Sequence, residues 1–138
     1  MPVAAGTQLG PYEVLSVLGV GGMGEVYCAL DTRLNRRVAL KVLPASNDGD
    51  TERLHRFEQE ARAASALSHP NVCVVYALGE TADGHPFIAM EYIEGQTLRH
   101  LMQTLPPTLK AALDVAIQIA AGAGAAHAIG IVHRDLKP

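Results

Sequence analysis

Short apolar runs separated by turn residues dominate the first part of the chain. Residues 12–18 (Tyr-Glu-Val-Leu-Ser-Val-Leu) mix β-branched and apolar side chains and predict a first strand. A second follows near 25–30 after a glycine-rich stretch, and residues 31–35 (Asp-Thr-Arg-Leu-Asn) have turn composition. Over 37–43 (Arg-Val-Ala-Leu-Lys-Val-Leu), Val38, Leu40 and Val42 alternate with Ala39, Lys41 and Leu43. That period of two predicts a third strand with Lys41 on the face opposite its neighbours. Residues 1–10 read as a loose lead-in.

The period then changes. Pro44 ends the strand, 47–50 is a loop, and Thr51 marks a helix start. Leu54, Phe57, Ala61, Ala64 and Leu67 keep helical spacing, so 52–67 is a helix. Residues 68–72 (Ser-His-Pro-Asn-Val) break it. Runs over 72–78 and 86–92 are strands around a hairpin-like turn at 80–85. A short helix over 97–104 and a second one capped by Thr108 complete the pattern; Leu109, Leu113, Ala116, Ile117 and Ala120 share one face of the latter. The fold class is α+β: five antiparallel strands with one helix after the third, then helices.

The chemistry starts at 19–27, Gly-Val-Gly-Gly-Met-Gly-Glu-Val-Tyr. Glycine lets a backbone approach a ligand without a Cβ in the way, and such loops turn N–H groups toward phosphate oxygens. By itself G-x-G-x-x-G is weak, because three phosphate-binding designs use it. A dinucleotide fold needs a helix directly after the glycines, whereas Val26-Tyr27-Cys28-Ala29-Leu30 reads as a strand. A Walker loop needs Lys and Ser or Thr after the last glycine, where this chain has Glu25-Val26. The third design is a strand–loop–strand flap with a lysine on the next strand, and Lys41 in Val-Ala-Leu-Lys fits it.

With these residues the chain resembles the protein kinases of the eukaryotic-like type, and Leu-Gly-Val-Gly-Gly-Met-Gly-Glu-Val-Tyr resembles their bacterial serine/threonine branch. The match continues through Phe-Glu-Gln-Glu-Ala-Arg, His-Pro-Asn and His-Arg-Asp-Leu-Lys-Pro, and covers nearly the whole chain. The resemblance implies a lead-in over 1–10, a kinase small lobe over 11–91 and a hinge over 92–96. The start of a large lobe follows over 97–138, truncated in the catalytic loop. It implies an ATP-dependent kinase moving a phosphoryl group from Mg-ATP to a protein Ser or Thr hydroxyl. Lys41 reaches the α- and β-phosphates and pairs with Glu60 of the C-helix, Glu58 being the other candidate. Leu18, Gly19, Gly21, Gly22, Gly24, Val26 and Ala39 line the nucleotide. Met90 stands at the back of the pocket, and the C=O of Glu91 and N–H of Ile93 bond the adenine edge. Asp135 accepts the substrate hydroxyl's proton and Lys137 supports the transferring phosphate. His69 and His133 are structural, and Arg134 resembles the arginine that pairs with a phosphorylated activation loop.

The family holds Mg²⁺ with an asparagine and an Asp-Phe-Gly that fall beyond residue 138, so the 138 residues alone are expected to be catalytically incompetent. The alternative is a nucleotide-binding or kinase-interacting module without chemistry. A purely structural interaction protein is disfavoured, since it needs no Lys41, Glu60 and Asp135 together.

Composition narrows the partners. A net charge of −3 with 18% charged residues gives no basic footprint for nucleic acid. At 49% apolar residues the chain reads as folded. Cys28 and Cys73 have no C-x-x-C spacing and read as reduced thiols. The start lacks signal-peptide regions, and the most apolar stretch, 111–132, holds Asp114, Gln118 and His127 and reads as too polar for a span. Cytoplasmic residence is the default expectation, compatible with an anchor beyond residue 138. Dimerisation through the small lobe is implied by the resemblance only. The run Gly122-Ala123-Gly124 stands where the family has Gly-Leu-Ala, which predicts a helix weakened by a missing anchor.

Overall fold

The computed structural model describes residues 3–21, 24–43, 51–104, 106–132 and 136. The described chain divides into two compact units, one of Met1–Ser65 with Val74–Tyr92, the other of Ala66–Cys73 with Ile93–Pro138.

In the first unit, six strands form one antiparallel sheet in the order β1-β2-β3-β4-β6-β5. They are β1 (Gln8–Leu9), β2 (Tyr12–Gly21), β3 (Gly24–Asp31), β4 (Arg36–Val42), β5 (Val75–Glu80) and β6 (Pro86–Glu91). Helix α1 (Thr51–Ser65) lies between β4 and β5 in sequence and packs on β5. The α+β small-lobe class expected above is therefore present, with one strand more than the sequence pattern shows.

The added strand corrects the reading of residues 1–10 as a loose lead-in. Leu9 is buried, and β1 pairs with β2 through Gln8–Glu13 and Leu9–Tyr12. Gly6 N–H donates to the Val14 carbonyl at 2.7 Å and Val14 N–H to the Thr7 carbonyl at 2.9 Å. The hidden signal was Gly10-Pro11, a turn dipeptide between two apolar residues, with Gly10 at φ 59°.

The core lies on one face of the sheet. It unites Leu9, Tyr12, Val14, Tyr27, Ala29, Val38, Leu40, Val42, Phe87 and Ala89. Tyr12 and Phe87 meet edge to face, centroids 5.9 Å apart, a geometry that adds about 0.5–1.5 kcal/mol to plain burial. The β3–β4 turn closes around Asp31, which is buried. Its carboxylate accepts from the Arg33 N–H at 3.0 Å, and Arg36 Nε lies 4.0 Å away with its guanidinium over the Tyr76 ring. Burial alone would raise the Asp31 pKa. The Arg33 N–H, the Arg33 guanidinium and the Leu34 N–H outweigh it and hold the carboxyl below its usual value.

The second unit contains α2 (Leu98–Thr104) and α3 (Leu109–Ala128). Thr97 Oγ1 accepts from the His100 N–H at 3.2 Å and Thr108 Oγ1 from the Ala111 N–H at 3.2 Å, so both helices carry threonine N-caps. At its other end α3 stops in a Schellman turn, with Gly130 N–H on the His127 carbonyl and Ile131 N–H on the Ala126 carbonyl. The histidine of His-Pro-Asn is structural as expected: His69 Nδ1 accepts from the Asn71 N–H at 3.0 Å.

Gly122 changes the reading of α3. It is the buried residue of this helix, and a Cβ built there falls 2.7 Å from the Asn71 carbonyl oxygen. One turn earlier, Gln118 Oε1 accepts from Asn71 Nδ2 at 3.4 Å. The glycine is a seat for the 66–73 turn. Leu109, Leu113 and Ile117 are more than half exposed.

Candidate nucleotide site

Register decides which side chains share a face of the sheet, because directly opposed residues on paired strands point the same way. Val26 opposes Lys41, and Lys41 opposes Ile88. Two residues along, Cys28 opposes Ala39 and Ala39 opposes Met90. The residues between them, Tyr27, Leu40 and Ala89, all belong to the core. Val26, Ala39, Lys41 and Met90 therefore stand together on the face turned away from that core. The alternation over 37–43 predicted this for Lys41, and the neighbouring strands follow from pairing.

Strands β2 and β3 flank the glycine-rich flap. Gly21 opposes Gly24 across the loop. The glycines divide into two kinds. Gly24 sits at φ 121°, and a Cβ there falls 2.3 Å from the Val42 carbonyl oxygen. It is required for packing against the end of β4. Around Gly19 and Gly21 no atom of the described residues lies within 4 Å of an added Cβ. Leu18 is the extra residue of a β-bulge between Val17 and Gly19. A bulge re-aims its side chain relative to the regular alternation, and Leu18 is half-exposed.

Lys41 is half-buried on β4, and Glu60 is exposed on α1 beside Ala61, the buried residue of that helix. Among the described residues no ion pair joins the two. Met90 and Glu91 lie on β6, where Glu91 N–H donates to the Val74 carbonyl at 2.8 Å and its carboxylate accepts from the Val74 N–H at 3.2 Å. Ile93 is exposed and belongs to the second unit. Gly22, His133, Arg134, Asp135 and Lys137 lie outside the described residues. Among the described residues no group of three or more His, Cys, Asp or Glu side chains is placed to hold a metal ion. The flap, the lysine and the small apolar residues on one face fit a nucleotide.

The sequence matches the protein kinase domain family over residues 12–138. The chain belongs to the protein kinase family. It is 45% identical over 130 residues to serine/threonine-protein kinase PrkC of Bacillus subtilis, covering 94% of this chain and 20% of that protein. With serine/threonine-protein kinase PknB of Mycobacterium tuberculosis it shares 44% over 131 residues, covering 92% and 21%. The crystal structure of the M. tuberculosis PknI kinase domain superposes with a TM-score of 0.84 at 33% identity, over 99% of this chain and 55% of that one. The chain thus spans about a fifth of the curated relatives' length and about half of a solved kinase domain. The family match includes α3, which by length and composition alone is apolar enough to cross a membrane.

Sequence reasoning missed two features of the flap. Cys28 shares the face of Val26, Ala39 and Lys41 through its register with Ala39, which only strand pairing reveals. Glu25 and Tyr27 connect the flap to the N-terminal residues, a contact across 24 positions that no local motif signals.

Proposed function

We propose that this chain is the nucleotide-binding portion of a serine/threonine protein kinase and that the first unit holds ATP. The observation that carries the reading is the shared face of Val26, Ala39, Lys41 and Met90 next to a glycine loop where, among the described residues, no atom lies within 4 Å of a Cβ added at Gly19 or Gly21. In this reading Leu18, Val26 and Ala39 sandwich the flat base. The flap N–H groups, with Gly22 among them, meet phosphate oxygens, and Lys41 supplies a point charge to them. ATP brings the γ-phosphoryl group that the family transfers to a protein Ser or Thr hydroxyl. Glu60 is the proposed partner of Lys41 in the nucleotide-bound state. The main-chain groups of Glu91 and Ile93 carry over from the family as adenine contacts, and Asp135 and Lys137 as the catalytic base and phosphate lysine. The 138 residues contain neither Asp-Phe-Gly nor the asparagine of the catalytic loop. By themselves they are proposed to bind nucleotide and to transfer none.

The test is nucleotide titration of the protein by calorimetry, with Lys41→Met beside it. Losing one charge-assisted phosphate contact costs about 1.5–3 kcal/mol, so affinity falls roughly 10- to 150-fold. Unchanged affinity in the variant would overturn the assignment of the site.

A further inference from the structure

Three groups near the flap have no part in the nucleotide reading: the backbone of Val3 and the side chains of Tyr27 and Glu25. Tyr27 is fully buried, on the core face of β3, opposite in direction to Val26. Its hydroxyl donates to Glu25 Oε2 and accepts from the Val3 N–H at 2.8 Å. Glu25 follows Gly24 directly and opposes Val20 on one side and Val42 on the other. One phenol thus links the N-terminal residues to the point where the chain leaves the glycine flap. The N-terminal end of the link is itself held: Val3 packs on the core, Gly6 bonds Val14, and β1 pairs with β2.

We propose that residues 3–9 form a strap that sets the position of the glycine flap through Val3, Tyr27 and Glu25, so that Tyr27 is a positioning residue for nucleotide binding. The affinity part rests on the nucleotide reading above; the mechanical part does not. The hydroxyl is suited to the task. Burial and donation to Glu25 push the Tyr27 phenol above its usual pKa, against the opposing Val3 N–H, so it stays a neutral bridge at physiological pH. A neutral hydroxyl can donate and accept at once, which no charged side chain does here. Directly before Glu25, Gly24 is packed closely against the Val42 carbonyl, which ties this end of the bridge to β4. Tension or slack in the strap is therefore passed to the flap strand itself.

The experiment is hydrogen exchange of backbone amides in the protein without nucleotide. Tyr27→Phe keeps the ring and its burial and removes the bridge. Exchange at Gly19, Gly21, Glu25 and Val26 is expected to accelerate about 2- to 10-fold, the factor that one hydrogen bond of ordinary net strength contributes, while Val38, Ala39 and Leu40 keep their rates. Val3→Pro, which removes the N–H donor together with the valine side chain packed on the core, gives at least the same local pattern in the flap. Glu25→Ala reproduces it, and Glu25→Gln, still an acceptor, restores wild-type rates. Nucleotide affinity falls by the same factor in Tyr27→Phe. Wild-type exchange in the flap of Tyr27→Phe would overturn the strap, as would acceleration spread evenly over the sheet. Absence of nucleotide binding by the wild type refutes the nucleotide reading instead and leaves the exchange result to judge the strap.

Discussion

Replacing Gly122 with alanine places a methyl carbon 2.7 Å from the Asn71 carbonyl oxygen and 3.3 Å from its carbonyl carbon and Cβ. None of these is the far end of a flexible side chain, so backbone must move. Two effects oppose each other. Alanine favours a helix interior over glycine by about 0.5–1 kcal/mol. Overpacking a tight contact costs about 1–3 kcal/mol, and the displaced turn weakens the Asn71–Gln118 bond. The clash wins, and Gly122→Ala is expected to destabilise by roughly 1–2 kcal/mol. Gly124, two residues on in the same helix, has nothing within 4 Å of its added Cβ. Only the propensity term acts there, so Gly124→Ala stabilises by about 0.5–1 kcal/mol. Urea denaturation followed by circular dichroism at the helix band compares both variants with the parent. Opposite shifts of the midpoint at unchanged m-value are expected. If Gly122→Ala is as stable as Gly124→Ala, the seat for Asn71 does not exist and the sequence-based reading of a merely weakened helix is restored.

The flap glycines should separate in the same way: Gly24→Ala, strained in φ and driven into the Val42 carbonyl, lowers the thermal midpoint by several degrees. Gly21→Ala leaves the midpoint nearly unchanged and weakens nucleotide binding, as calorimetry would show; equal effects of the two on stability would refute the division. For Asp31 the folded pKa lies below the ordinary carboxylate value, so its contribution is complete above that value and is lost as pH falls through the folded one. The stability gap between wild type and Asp31→Asn should therefore be widest near neutrality and close as pH falls below the ordinary carboxylate range, and a gap constant with pH in denaturant titrations would contradict the assigned contacts.

The sequence by itself determined the elements and the chemical types. Alternation over 37–43 put Lys41 on the face opposite Val38, Leu40 and Val42, and the core bears this out. Turn residues and threonine caps placed strand and helix ends to within a few positions. The glycine spacing, Val-Ala-Leu-Lys and His-Arg-Asp-Leu-Lys-Pro point to the kinase family. These signals are local, read from side-chain periodicity and backbone requirements within a few residues. What only the tertiary structure decided depends on pairs distant in sequence. Pairing turned residues 8 and 9 into a strand, and a bulge re-aimed Leu18. Cys28 joined the face of Ala39 and Met90, while among the described residues no ion pair joins Lys41 to Glu60. Gly24 against Val42 and Gly122 against Asn71 are close approaches of backbone to backbone, and a glycine that only permits another segment to come near leaves no periodic trace in the sequence.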